Sequence, residues 1–180
     1  ELKYLSWYLY LTNLITMSDL TVTIKETITL PNGNPQISEN VKKIQGVNQI
    51  SRRIDTITTC FEGTGIEVLR FVDSENRQTA GSFVKGTVKY IRFTNLDSTN
   101  FCNIYLINED QNFTRLKLDA GKTIMFSNDD FIASSTGDYV VEGYVDSAYY
   151  TSFEDLDVIK AKADTADIQL EYLVASSWYL

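Results

Sequence analysis

An all-β fold, an antiparallel sandwich or barrel, is what this sequence predicts, and three observations carry the prediction. Apolar and polar residues alternate with period two through much of the chain. The alternating runs are short and nearly regularly spaced. The stretches between them are rich in Asn, Asp and Gly, which bend a chain by side-chain hydrogen bonds or positive φ. Composition agrees: 180 residues, 43% hydrophobic and 22% charged with two prolines, suffice for one core without disulfide or metal support.

Taken in order, residues 1–16 (ELKYLSWYLYLTNLIT) read as an apolar N-terminal arm or an upstream extension, residues 17–176 as a single sandwich domain and residues 177–180 as an aromatic C-terminal tail. In SDLTVTIKETITL, Leu20, Val22, Ile24, Ile28 and Leu30 share one parity, while Thr21, Thr23, Lys25, Thr27 and Thr29 share the other. That predicts a long strand with one buried face. PNGNP is a turn, because Pro fixes φ and Asn-Gly accepts positive φ. VKKIQGV and RRIDTITTCF read as strands around a turn at Asn48, and GIEVLRFV as another strand. Residues 88–126 read as a meander of four strands, punctuated at 95–100, 108–112 and 119–121. Beyond Phe126 the expectation is a long loop with one strand near Tyr139 to Tyr144, then a helical turn in FEDLDVI. A closing hairpin of IKAKA, DTAD and IQLEYLVAS follows, in which Ile168, Leu170, Tyr172 and Val174 alternate with Gln169, Glu171 and Leu173.

Chemistry is sparse along this chain. With no histidine, the usual general base near neutral pH, the triads built on it and most zinc sites are removed. The densest carboxylates, Asp129-Asp130 and Glu154-Asp155-Asp157, are adjacent acids that point apart, where a glycosidase needs a pair facing across a cleft. LDSTN, NEDQN and SNDD carry oxygen ligands without fitting the twelve-residue calcium loop, and turn chemistry explains them. Asn112-Phe113-Thr114 matches a glycosylation sequon. No catalytic, cofactor-binding or metal-ligating residue is predicted. Net charge is −8, and basic residues occur as short pairs, Lys42-Lys43 and Arg52-Arg53, so nucleic acid is not an expected partner. Nor is a membrane, since no stretch reaches the roughly 18 apolar residues of a span. A disulfide between Cys60 and Cys102 stays open on the sequence, with buried free thiols the expected state, Cys102 because it alternates with Ile104 and Leu106.

The interaction candidates are terminal. SWYL occurs at residues 6–9 and again at 177–180, and holds both tryptophans of the chain. Tyr4, Leu5, Trp7, Tyr8 and Leu9, with Trp178 and Tyr179, are expected to pack on the sandwich or on a neighbouring subunit. Each large apolar side chain gains roughly 1.5–3 kcal/mol on burial. A homo-oligomer is the expected state.

VKYIRFTNLD (88–97), the DAGK turn (119–122), IKAKADTADIQLEYLVASS (159–177) and the opening MSDLTVTIKETITLPNG (17–33) resemble small virion structural proteins of tailed phages, especially marine ones. The resemblance covers about residues 17–177, with Met17 as initiator. It implies a β-sandwich, often jelly-roll-like, present in many copies in the virion as a decoration, tail or fibre-associated component. It further implies contacts with other virion proteins and no enzymatic activity. Two other classes fit the residues: a carbohydrate-binding module, and an extracellular filament subunit whose N-terminal segment adds as a strand to its neighbour.

Overall fold

The threonine and β-branched run after Met17 forms a strand, β1 (Ser18–Thr29), which turns back through Pro31 and Gly33 into β2 (Pro35–Val47). The computed structural model describes residues 18–29, 31, 33, 35–59, 65–73, 81–126, 130–134 and 149–177. Its further elements are β3 (Gln49–Ile57), β4 (Ile66–Val72), β5 (Ser82–Val84), β6 (Val88–Asn95), β7 (Cys102–Asn108), β8 (Phe113–Leu118), β9 (Thr123–Phe126), β10 (Asp130–Ser134) and β11 (Tyr149–Ser152). A 3-10 turn at Phe153–Asp155, β12 (Leu156–Ala163) and β13 (Ile168–Ser176) complete them. The fold is all-β, as the alternation predicts.

The chain divides into two compact units, residues 1–48 and 49–180. In the first, β1 and β2 pair antiparallel as a two-stranded ribbon. In the second, five strands lie in the order β5-β4-β12-β7-β8 and four in the order β3-β13-β6-β9, all antiparallel except β4 with β5. A short pair, β10 with β11, stands as its own sheet.

One core lies between the two larger sheets, and alternation decides who enters it. Val68, Phe71, Cys102, Ile104, Leu106, Ile159 and Ala161 from the five-stranded sheet share a buried cluster with Ile91, Phe93, Ile168, Leu170, Tyr172 and Val174 from the four-stranded sheet. This is a sandwich arrangement, the strands turning every second side chain inward. Cys102 is a free, fully buried thiol, as its alternation predicts, whereas Cys60 lies outside the described residues.

Connectivity departs from the sequence reading in two places. The four strands of residues 88–126 exist with the expected punctuation, yet they are no meander. β7 and β8 pair in one sheet, while β6 and β9 pair in the other. Likewise β12 and β13 do not form a hairpin: the turn at residues 164–167 carries the chain from one sheet to the other. The physical reason is common to both. Ile159 with Ala161 and Ile168 with Leu170 are buried in the same core from opposite sides, and period two reports only that a side is buried. The expected turn at Asn48 separates β2 from β3, which pair with β1 and β13 and not with each other. The strand expected near Tyr139 to Tyr144 lies outside the described residues.

The loop ends are held by one buried amide. Asn95, fully buried at the end of β6, donates from Nδ2 to the carbonyls of Asn100 (2.8 Å) and Leu118 (3.3 Å) and accepts the Asp97 N–H on Oδ1 (3.0 Å). Three loop backbone groups thereby find partners without water.

Candidate interaction surfaces

The terminal residues predicted to mediate contact, Tyr4, Leu5, Trp7, Tyr8 and Leu9 at one end and Trp178 and Tyr179 at the other, lie outside the described residues. Within the described ones, exposed apolar side chains lie elsewhere, four of the nine large ones on the ribbon.

β1 and β2 face each other over eleven paired positions, from Ser18 opposite Val47 to Thr29 opposite Pro35. Residues opposite one another share a face. One face of the ribbon therefore carries Leu20, Val22, Ile24 and Ile28 from β1, and the other carries Ile37 and Val41 from β2 among threonines. Toward the base, Leu20 and Val22 are half-buried and Ile44 and Val47 buried. Toward the tip this reverses: Ile24, Ile28, Ile37 and Val41 are 41%, 58%, 62% and 56% exposed. The buried face expected of this strand is therefore absent: Leu20 and Val22 are half-buried, no side chain of β1 is buried, and among the described residues no second layer covers the outer half of the ribbon.

Charge sets the ribbon apart as well. Asp19, Glu26 and Glu39 balance Lys25, Lys42 and Lys43, so residues 18–47 are neutral, and Glu1 and Lys3 cancel; the whole net charge of −8 falls on residues 49–180. Lys25 stands opposite Glu39, and Lys43 pairs with Asp19 at 3.5 Å.

A second exposed surface lies on the outer face of the four-stranded sheet. Ile50 and Ile54 of β3 are 58% and 51% exposed, and between them Arg52 reaches Glu171 of β13 at 2.6 Å. Arg92 of β6 holds the other carboxylate oxygen, so the buried Glu171 is gripped from both sides. The hydrogen bond from Arg52 holds its carboxyl below the ordinary range against the opposing effect of burial, with Arg92 acting in the same sense.

Several other polar groups among the described residues are bonded within the fold. Burial pushes the Cys102 thiol up to about 11, which leaves it protonated and unreactive at neutral pH. The Asp97 carboxylate accepts the N–H groups of Asn100 (2.6 Å) and Thr99 (2.7 Å), which hold its pKa below the ordinary value; the oxygen-rich LDSTN loop is a self-bonded turn. In the NEDQN loop, Asn108 Oδ1 accepts the Asn112 N–H at 2.8 Å. Of the acidic groups singled out in the sequence, Asp157 lies 3.9 Å from Arg70. Among the described residues no group of three Cys, Asp or Glu side chains stands together as a metal site, and no helix is long and apolar enough to cross a membrane.

Tyr172 gives one pH-dependent expectation. Its ring is buried and its hydroxyl donates to Asp55 Oδ2 at 2.6 Å; burial first, then the Asp55 carboxylate, push it up to about 12. A folded-state pKa raised above the ordinary 10 favours the neutral, folded form. Its contribution is present in full below about pH 10 and is lost as pH rises through about 12. Cys102 adds a loss of the same sign, beginning nearer its ordinary value of 9. Denaturant midpoints measured from pH 8 upward should therefore fall on the alkaline side, and Tyr172→Phe should fall less steeply than wild type between pH 10 and 12. Parallel curves for the two proteins would contradict the buried hydroxyl.

No family model, curated protein or solved structure matches this chain.

Proposed function

We propose that the chain is a non-enzymatic structural component of a phage particle, a jelly-roll body whose copies associate through the ribbon of β1 and β2 and dock on other virion proteins. The observation that carries this reading is the ribbon's outer half. A two-stranded hairpin open to water on both faces is marginal by itself. This one exposes four large aliphatic side chains there. Covering the exposed parts of each is worth on the order of 1 kcal/mol, so contact between two copies gains several.

The partner that fits is the same ribbon of a second copy. Bodies of charge −8 repel one another, and the ribbon is the neutral part at which copies meet without that cost. Apolar rows on both faces let one ribbon lie between others, as repetition in a particle requires.

Two further observations support the setting. Leaving aside the short β5, the orders β3-β13-β6-β9 and β4-β12-β7-β8 have the chain pass repeatedly between sheets, which supports the jelly-roll reading. That architecture recurs in viral capsid and lectin domains. The phrases at residues 17–33, 88–97, 119–122 and 159–177 point to the virion among these.

The test is the native mass of the full chain by light scattering and sedimentation. An oligomer is expected, and Ile28→Asp with Ile37→Asp, which place a charge on each face at exposed sites, should weaken it by at least roughly a hundredfold while leaving the circular dichroism unchanged. A wild-type monomer at high concentration, or an oligomer indifferent to both substitutions, would sink the reading.

A further inference from the structure

The outer face of the five-stranded sheet has a chemistry unlike the rest of this acidic chain. Registers fix which side chains stand side by side there. One row crosses β12, β7 and β8 as Lys162, Asn103 and Lys117; the next crosses them as Lys160, Tyr105 and Arg115. The outcome is two rails of cations, about 10 Å apart across two strand spacings and about 7 Å from rung to rung. Between the rails stand the half-buried Asn103 and the buried Tyr105, which packs with Ile107 and Val158 of the next rung.

Arg115 and Lys117 are exposed, and Lys160 and Lys162 are half-buried. Lys117 pairs with Asp119 at 2.7 Å and lies 4.4 Å above the Phe101 ring. The carboxylate opposite Lys160 on β4, Glu67, is taken by Arg70 through both oxygens. Lys160, Lys162 and Arg115 thus have no carboxylate partner among the described residues. Four of the chain's 16 basic residues stand on six adjacent sheet positions while acids outnumber bases by eight overall. Three of the four cations thus lack a counter-charge among the described residues, and like charges held this close favour an anion from outside.

We propose that this face binds a linear acidic polysaccharide, lying along β7, with its uronate carboxylates on the two rails and its hydroxyls on the Asn103 amide. Carboxylate spacing on both sides of a narrow chain suits paired rails, and the Arg115 guanidinium offers a fork matched to a carboxylate. Single-stranded nucleic acid fits less well, because its sequence-tolerant binding draws on base stacking. Tyr105 is 8% exposed and packed edge-on against Phe113, with ring centroids 5.6 Å apart at 65°, so it offers no open aromatic face. An acidic protein surface fits less well too, since protein interfaces turn on apolar or aromatic anchors free to enter a partner, and Tyr105 is already buried here with Ile107 and Val158. Phe113, half exposed one rung beyond Tyr105, gives a sugar ring an apolar rest.

The proposal stands apart from the assembly reading, and its test is separate from it. Full-length protein is titrated calorimetrically with oligogalacturonate at low and high salt, beside maltohexaose, a sulfated dextran oligomer and an oligothymidylate. Saturable binding of oligogalacturonate alone is expected, lost at high salt and weakened by roughly tenfold or more in Arg115→Glu with Lys117→Glu, both at exposed positions. Lys160→Ala should weaken it as well, with Lys160→Arg restoring it. No binding, binding unmoved by the charge reversals, or tighter binding of the sulfated oligomer or the oligonucleotide would each overturn the assignment.

Discussion

Replacing Gly65 by alanine is expected to destabilise the sandwich by about 3–5 kcal/mol, a large share of what a domain of this size possesses. Two effects combine at this position. Gly65 has φ +94°, outside the range that L side chains adopt readily. A Cβ there would also lie 2.2 Å from the Ala161 carbonyl oxygen and 2.7 Å from its carbon, both backbone atoms of the central strand β12. Relief requires β4 to move away from β12, breaking the ladder that begins with Ile66 opposite Ala161. Gly121 separates the two effects. It has φ +67° with nothing within 4 Å of its would-be Cβ, so Gly121→Ala should lose only the conformational part, about 1–2 kcal/mol. Chemical denaturation of the three proteins reads the difference directly. A Gly65 variant as stable as the Gly121 variant would show that β4 and β12 do not approach so closely.

Asn95→Leu should cost about 3 kcal/mol, although the two side chains have nearly the same shape. The leucine keeps the packing and abandons the Asn100 and Leu118 carbonyls and the Asp97 N–H together. A buried backbone group left without a partner loses its hydration with no return. The loss should concentrate at one end of the molecule. Hydrogen exchange at residues 96–101 and near Leu118 should quicken more than exchange in β13. Uniform protection across the sandwich, with stability within 1 kcal/mol of wild type, would remove Asn95 from this role.

The strands themselves were legible in the sequence because burial on one side of a pleated strand writes itself as period two. Cys102 with Ile104 and Leu106, and Ile168 with Leu170, Tyr172 and Val174, are buried where their alternation places them. Which sheet a strand joins was not legible, since Ile159 and Ile168 carry the same pattern from opposite sides of one core. The ribbon misleads in a related way. Ile24 and Ile28 continue the parity of Leu20 and Val22, yet they are exposed, because alternation records an apolar side and not what covers it. PQISEN was not read as strand at all; its signal is weak, with Ile37 alone among polar residues until Val41, and Pro35 is tolerated because it opens the strand. The cation rails were invisible for a third reason. Arg115 and Lys117 stand more than forty residues before Lys160 and Lys162, and only the two registers that β7 shares make them neighbours.

The place of β13 also bears on how the molecule is made. It lies in the middle of its sheet, paired on one side with β3 over nine positions and on the other with β6. Residue 168 follows the end of β3 by more than a hundred residues. During synthesis β3 and β6 therefore emerge long before the strand that joins them, each presenting an open edge of unpaired amides and carbonyls to whatever is near. Such distant pairing closes late and folds slowly, on a scale of milliseconds to seconds after the strand becomes free. Where many ribosomes translate this chain at once, the strand edges of neighbouring nascent chains compete with β13 for the same partners, and the yield of folded protein should rise when translation is slowed or the chain is shielded as it emerges.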